Sequence, residues 1–212
     1  MNRPVRRAAG VLAAVALTAC GGHSEDRPAP STPPAPGSAA GLTAAQVERA
    51  LLTVTDLPLG FQAQDGAPDA SALGCAGVDQ VYLPAGTAAR AAVSFGHSLS
   101  AAFVNETISS RPGGGAASAL AAFARAARDC ASFTGPDGTT YKVSALKLPS
   151  YGDGSAAVRV TSTIREARPV DLVAVRVGDT LLAVATAGAG KEETQLTRTV
   201  VDRALAKLAR TT

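Results

Sequence analysis

The chain has few of the residues on which enzyme active sites and metal sites depend. Its 212 residues include two histidines, three cysteines, one methionine, eight aromatic residues and no tryptophan. His23 lies in a proline-rich segment, which leaves His97 alone for a folded domain. A serine hydrolase needs a histidine base supplied from elsewhere in the chain, and a zinc site needs several nitrogen or sulfur ligands. We therefore expect a protein that is not an enzyme, with no catalytic residue, no metal and no cofactor.

Two short motifs superficially match functional signatures, but each lacks a required residue. Residues 96–100, Gly-His-Ser-Leu-Ser, have serine in place of the last glycine of the G-x-S-x-G nucleophile elbow. Residues 113–115 are three glycines and lack the third position of the dinucleotide-binding fingerprint. We interpret the first motif as a turn between strands and the second as a hinge or helix start.

From Cys20 onward the chain also lacks an excess of either charge sign. The formal net charge is +3, with 20 Lys and Arg residues against 17 Asp and Glu residues. Residues 1–19 hold three of the arginines and no acidic residue, so the chain from Cys20 onward carries 17 of each sign. Binding to phosphate backbones or to anionic membranes by charge needs a basic surface. We expect no nucleic-acid partner.

The first twenty residues have the pattern of a secretory leader. Three arginines precede an apolar run from Ala8 to Ala19, which is too short to span a bilayer of roughly 30 Å as a helix. Residues 17–20, Leu-Thr-Ala-Cys, resemble the lipobox of bacterial lipoproteins. The resemblance implies that residues 1–19 are a signal peptide and that Cys20 is lipidated. Its acyl chains, palmitate among them, would anchor the protein to the outer face of the bacterial cytoplasmic membrane. The alternatives are an ordinary secreted protein or an accidental cysteine.

Residues 20–41 comprise the lipidated cysteine and a tether. Five prolines alternate there with Ala, Ser, Thr and Gly, a composition that favours extended, polyproline-like chain. At ~3.1 Å per residue the tether spans roughly 60 Å. It is a spacer through the cell wall or an inert tail, since the composition fits both. Residues 42–212 remain and are enough for one domain with its own core.

Hydrophobic periodicity predicts an α+β domain. Thr43 and Gln46 have the spacing of a capping box at the start of a helix, and further helices are expected after Gly115 and over 192–209. A short strand is expected at Phe61, with loop over most of 61–90. The other expected strands cover 91–109, 141–148, 157–165, 170–177 and 180–186.

The order of these elements favours a largely antiparallel sheet. Gly178-Asp179 is a two-residue hairpin signal between two strands that are apolar on both faces, which suits central strands. The order also differs from the βαβ alternation of a parallel sheet. We expect about five or six strands packed against two or three helices.

The two cysteines of the domain, Cys75 and Cys130, are expected to form one internal disulfide. In an oxidising compartment an even pair most simply cross-links. The alternatives are two buried free thiols or a redox pair, although the spacing is not that of a C-x-x-C redox site.

The order and spacing of several short motifs resemble a known family. The motifs are Leu51-Leu52, Asp56-Leu57-Pro58-Leu59-Gly60-Phe61, Ala119-Leu120-Ala121-Ala122-Phe123, Cys130-Ala131-Ser132-Phe133, Leu148-Pro149, Gly152-Asp153 and Val175-Arg176-Val177-Gly178-Asp179. Together they resemble the PknH-like extracellular sensor domain, found outside mycobacterial Ser/Thr kinases and in actinobacterial lipoproteins, over roughly residues 42–210. The resemblance implies an α+β sensor or ligand-binding domain with a cleft and no catalytic machinery. This chain differs from the kinase sensor in having one internal cysteine pair where the kinase sensor has two.

Four charged residues are candidates for a ligand-binding surface: Glu106, Arg159, Arg165 and Arg176. Arg159 and Arg165 share one strand face by parity, and Arg176 interrupts an otherwise apolar strand. Because an unpaired buried charge is costly, Arg176 is expected at an edge or in a salt bridge. The carboxylates considered for that bridge are Glu106, Glu166 and Asp171. The other interpretation of these arginines is an anion-binding cleft.

The function that these patterns favour is that of a lipid-anchored extracytoplasmic protein whose sensor-like domain binds a small molecule or cell-envelope ligand. One alternative is an interaction or scaffold protein of the envelope, which predicts an exposed apolar patch larger than ~400 Å². The other is a carrier of an apolar ligand, which predicts a cavity lined by Val, Leu and Phe. The expected partners are the membrane, through Cys20, and an unidentified small ligand or envelope protein.

Overall fold

One antiparallel sheet of eight strands forms the centre of the fold, and helices cover both of its faces. The computed structural model describes residues 41–65, 74–83, 85–164, 166–188 and 193–211. The strands are β1 (Phe61–Ala63), β2 (Ala89–His97), β3 (Phe103–Ser110), β4 (Ser132–Thr134), β5 (Thr140–Ala145), β6 (Gly154–Ser162), β7 (Val170–Val177) and β8 (Thr180–Ala187). The helices are α1 (Ala44–Ala50), α2 (Ala76–Tyr82), α3 (Gly115–Asp129) and α4 (Glu193–Ala209), with a 3₁₀ turn at Val54–Asp56. The spatial order of the strands is β1-β2-β3-β8-β7-β6-β5-β4.

The hairpin of β7 and β8 occupies the middle of the sheet because its side chains are apolar on both faces. Every residue of β8 is buried, and β8 pairs with β3 on one side and β7 on the other. Gly178 joins the two strands at a φ of +57°, a left-handed conformation that glycine adopts without steric cost. The expected hairpin and its central position are both confirmed.

Strand alternation divides the core into two layers, since successive side chains of a strand point to opposite faces. On one face, α1 and α4 pack over side chains that include Val104, Val173 and Val184. On the other face, α2 and α3 pack over Leu172 and Ala183 among others. The sheet therefore contacts water along neither face of its central strands.

The start of α1 follows the capping signal in the sequence. The Gln46 backbone N–H donates to the Thr43 hydroxyl at 3.3 Å, and the Thr43 backbone N–H donates to Gln46 Oε1 at 2.9 Å. These reciprocal bonds satisfy two groups that a helix start leaves without intrahelical partners. The capping box is confirmed.

The described structure corrects the expected number of elements. It has eight strands rather than five or six, and four helices rather than two or three. Helix α2 lies in the region expected to be loop, and β4 is only three residues long. A Cβ atom on Gly77 of α2 would lie 2.8 Å from the backbone oxygen of Ala122 in α3. Because glycine is a poor helix former, the residue that lets these helices approach closely also weakens the local helix signal.

The disulfide joins the two helices of one layer. Cys75 precedes α2, Cys130 follows α3, and the two are bonded with their Cα atoms 5.8 Å apart. The cross-link therefore holds the short α2 onto the longer α3. The expected pairing of Cys75 with Cys130 is confirmed.

Removal of this cross-link is expected to destabilise the domain. Replacing Cys75 and Cys130 together by alanine should lower the free energy of unfolding by about 4 kcal/mol, because the bond closes a loop of 55 residues in the unfolded chain. Urea unfolding followed by circular dichroism measures this. The unsubstituted chain under reducing conditions should lose a similar amount. An unchanged unfolding midpoint would contradict the prediction.

Candidate functional site

Arg159 is held by a buried carboxylate on the neighbouring strand. Its Nε and Nη2 donate to the two carboxylate oxygens of Asp171 at 2.7 and 2.9 Å, and Nη2 also donates to the Thr194 hydroxyl at 3.1 Å. Asp171 is completely buried. A two-pronged arginine–carboxylate pair of this kind fixes geometry as well as charge. Arg159 thereby connects β6 and β7 to the start of α4.

Two threonines extend this network into the core. The Thr197 hydroxyl donates to Asp171 Oδ2 at 3.1 Å and lies 2.7 Å from the Thr186 hydroxyl. All three side chains are buried. The arrangement stabilises the buried charge of Asp171, which would otherwise be costly, and it ties α4 to the middle of the sheet.

Arg176 lies on the other face of the sheet, at the end of β7. Its Nη1 is 3.7 Å from Asp153 Oδ2, and its Nη2 donates to the Asp153 backbone oxygen at 3.1 Å. The arginine side chain is 30 % exposed. Its carboxylate partner is therefore Asp153, which was not among the three residues considered from the sequence. Because Arg159 and Arg176 stand on opposite faces, the structure does not bring them together.

Three predicted positions remain: Glu106, which is buried, and Arg165 and Cys20. Arg165 and Cys20 lie outside the described residues. Glu106 is fully buried beneath the junction of α1 and the 3₁₀ turn. The Leu52 backbone N–H donates to its Oε2 at 2.6 Å, and Oε1 has no hydrogen-bond partner within the described part of the chain. Burial raises the pKa of Glu106 from 4.5 to about 7, because removal from water penalises the charged form.

A salt bridge close to Glu106 fixes the 3₁₀ turn to α4. Lys207 Nζ is 2.8 Å from Asp56 Oδ2, and Arg203 Nη1 donates to the Asp56 backbone oxygen at 2.6 Å. Burial opposes the charge of Asp56, but hydrogen bonds from Lys207 and Thr53 outweigh it and lower the pKa to about 2. These contacts, like those of Arg159, hold helices in place.

A groove at one end of the sheet is a candidate binding site within the described part of the chain. It has a volume of about 330 Å³ and lies between the turn before β1, the turn after β2 and the start of α4. The lining residues are Pro58, Leu59, Phe61, His97, Ser100, Ala102, Gly188, Gln195, Leu196 and Thr199. None of these described lining residues is charged. A pocket of this size with a few polar groups on apolar walls is the usual form of a small-molecule site.

His97 is the most distinctive side chain of the groove. Its ring meets the Phe61 ring edge-on, with the centroids 5.2 Å apart. Its Nδ1 accepts a hydrogen bond from the Leu99 backbone N–H at 3.2 Å, which leaves Nε2 as the donor of the neutral ring. The imidazole also packs on Gly60, where a Cβ atom would overlap Nε2. The glycine in this turn therefore permits the position of the histidine.

Sequence reasoning did not identify this groove. The sequence motif around His97 predicts a turn between strands and offers neither a hydrolase base nor a metal site, whereas His97 ends β2 and lines the groove. The sequence signal was the placement of Leu59 between proline and glycine, and of Leu99 between two serines. A leucine inside such a turn has no core position to occupy, so it marks an apolar surface.

The described residues contain no cluster of three His, Cys, Asp or Glu side chains placed to hold a metal ion. None of the helices in the described ranges is long and apolar enough to cross a membrane.

Comparisons with known proteins identify the fold. No protein family matches the sequence, and no curated protein matches it either. Among solved structures, the chain is similar to the crystal structure of the extracellular domain of PknH from Mycobacterium tuberculosis. The two share 15 % sequence identity at a TM-score of 0.58, over 78 % of this chain and 98 % of that chain. The fold implied by the sequence motifs is confirmed.

The buried carboxyl of Glu106 is expected to make stability fall as pH rises. Its pKa is raised on folding from 4.5 to about 7, so the folded state binds the proton more tightly. The stabilisation is fully present below about pH 4.5 and is lost as pH rises through 7, by roughly 3 kcal/mol in total.

The variant Glu106→Gln, which stays neutral, should abolish this fall, while Glu48→Gln on the exposed surface of α1 should retain it. Urea unfolding between pH 4.5 and 9 compares the three chains. Parallel pH profiles for the unsubstituted chain and Glu106→Gln would refute the assignment.

Proposed function

We propose that the chain is an extracytoplasmic lipoprotein of the bacterial envelope whose non-catalytic domain binds a small molecule or cell-envelope ligand in the groove beside His97. The groove itself carries this proposal, since it gathers hydrogen-bonding and apolar side chains around a volume of about 330 Å³. The fold shared with the extracellular domain of PknH supports a domain that works outside the cell.

The location is supported by two independent features of the chain. The leader and lipobox-like residues 1–20 favour export and acylation at Cys20. The bond between Cys75 and Cys130 favours an oxidising compartment, where disulfides persist. Balanced charge after residue 19 makes acyl chains, rather than basic side chains, the means of attachment.

The chemistry of the groove favours an uncharged, partly apolar ligand. Its polar groups are one imidazole, one amide and two hydroxyls, from His97, Gln195, Ser100 and Thr199. These groups donate and accept hydrogen bonds. Both placed arginines of the proposed anion cleft pair with carboxylates elsewhere. We therefore assign binding to the groove rather than to the arginines.

A carrier of an apolar molecule is the second candidate. Phe61, Leu59 and Leu196 line the same groove, and a longer apolar ligand would extend over the exposed Leu59. The two candidates differ in the ligand that remains bound, which a mass measurement identifies.

Lipid anchoring is expected to depend on Cys20 alone. Cells fed radiolabelled palmitate should label the unsubstituted protein and not Cys20→Ser, because only the lipobox cysteine is acylated. The Cys75→Ala, Cys130→Ala double variant should keep its label. Equal labelling of Cys20→Ser, or its unchanged retention in the membrane fraction, would overturn the anchoring proposal.

Ligand binding is expected to give extra mass on the folded protein. Residues 20–212, exported behind an unrelated leader with Cys20→Ser, should show in a native mass spectrum an added mass that denaturation removes. Thr199→Phe fills the groove and should remove that mass, because the ring occupies the space of the ligand. Ala206→Phe places the same ring on an exposed site two turns along α4 and should keep it. A bare polypeptide mass, or equal retention in both variants, would count against the groove.

A further inference from the structure

The large apolar side chains that are exposed in the described structure are concentrated at one end of the sheet. They are Leu59 at 99 %, Leu99 at 90 %, Ile164 at 51 % and Val54 at 43 % relative exposure. Leu59 precedes β1, Leu99 follows β2 and Ile164 follows β6. The strand pairing places these three positions at the same end, and we call Leu59, Leu99 and Ile164 the apolar end.

Backbone hydrogen bonds hold the two most exposed residues in adjacent turns. The Ser98 N–H donates to the Gly60 backbone oxygen at 2.9 Å, and Phe61 pairs with His97 at the start of the β1–β2 ladder. Leu59 and Leu99 each lie one residue beyond the Gly60–Ser98 bond. The two leucines therefore belong to adjacent turns that are fixed by hydrogen bonds, and Leu59 also lines the groove.

Charged groups are absent from the sequence of these two turns. Residues 57–64 and 97–105 contain no Asp, Glu, Lys or Arg, so their burial in an apolar medium would desolvate no formal charge. The opposite end of the sheet carries Asp153 and Asp179 on its turns and Arg176 near the end of β7. The sequence that follows Ile164 does carry charge, at Arg165, Glu166 and Arg168, so the uncharged surface is confined to the Leu59 and Leu99 turns.

The spacing of the three side chains distinguishes a lipid surface from a protein partner. Leu99 and Ile164 are separated by four strand spacings, about 19 Å. A protein interface needs a contiguous apolar centre, whereas fluid lipid accepts separate side chains one at a time. We propose that Leu59, Leu99 and Ile164 insert into the surface of a lipid bilayer and hold the mouth of the groove against it; this rests on the proposed lipid anchor.

The tether is long enough for this orientation. Gly41 lies against Ser110, the last residue of β3, and so enters the domain at the end opposite to the insertion side. The eight residues of β3 extend over about 25 Å, whereas residues 21–40 span roughly 60 Å when extended. The domain can therefore fold back to the membrane. The anchor holds the domain next to the bilayer at an effective concentration near the millimolar range. At that concentration even a low affinity of these side chains for lipid gives insertion.

The lack of tryptophan in the chain permits a direct test. Residues 20–212 keep a single free thiol at Cys20, because Cys75 and Cys130 are bonded, so the protein can be coupled to a maleimide lipid in phosphatidylcholine vesicles. Leu59→Trp and Leu99→Trp then supply single probes at the apolar end. Their emission should shift to the blue and be quenched by brominated phosphatidylcholine.

The matched control is Ser150→Trp, an exposed uncharged site at the opposite end, which should show neither change. Replacing Leu59 and Leu99 together by serine should lower the membrane-inserted fraction of an Ile164→Trp chain at least about tenfold, since each leucine contributes roughly ten- to hundredfold to partitioning. Deletion of residues 22–37 leaves a tether of about 12 Å, which is shorter than β3, and it should abolish the quenching of Leu99→Trp.

Absence of quenching at positions 59 and 99, or equal quenching at position 150, would overturn the docking. Quenching that survives the shortened tether would overturn the fold-back orientation on which it depends. Because the maleimide lipid supplies the anchor, neither failure bears on acylation of Cys20. The native mass spectrum tests the groove independently.

Discussion

The fold depends on the burial of the β7–β8 hairpin on both faces of the sheet. Strands that are apolar on both faces leave a large apolar area in water unless a layer covers each side, and burial contributes about 25 cal/mol for each Å² removed from water. Helices α1 and α4 supply one layer, and α2 and α3 supply the other. Because β8 also pairs on both edges, it has no free side. The groove follows from this arrangement, since it forms where α4 begins over the exposed end of the same sheet.

Two carboxylates are buried in the layer that α1 and α4 cover. The charge of one is compensated by hydrogen bonds, and the other favours its neutral, protonated form. Asp171 receives two hydrogen bonds from Arg159 and one from Thr197, so its charge is compensated where it lies. Glu106 receives one from Leu52, and burial favours its protonated form. The first group ties α4 to the sheet, and the second lies under the end of α1. Charge inside this domain therefore positions helices, which is why the uncharged groove is the better candidate for recognition.

The sequence predicts those parts of the structure that depend on local pattern. The capping box at Thr43, the hairpin at Gly178 and the central strands follow from periods and turn residues within a few positions. Pairing of Cys75 with Cys130 follows from parity and compartment. The parts that it does not predict depend on distant neighbours. Gly77 weakens α2 locally and is useful only against α3, and the partner of Arg176 is set by strand register, 23 residues away.

The fold depends on a general apolar pattern, whereas the groove depends on particular side chains, so the shared fold does not identify a ligand. A sheet with two helical layers needs only apolar residues at alternating positions, and many sequences meet that requirement, so 15 % identity is compatible with a TM-score of 0.58. The groove depends on particular side chains instead. His97 holds its orientation because Gly60 leaves room for the ring and because the Leu99 N–H fixes Nδ1. A side chain on Gly60 would overlap the imidazole. The shape of the groove is therefore set by the turns, while the sheet determines where those turns meet.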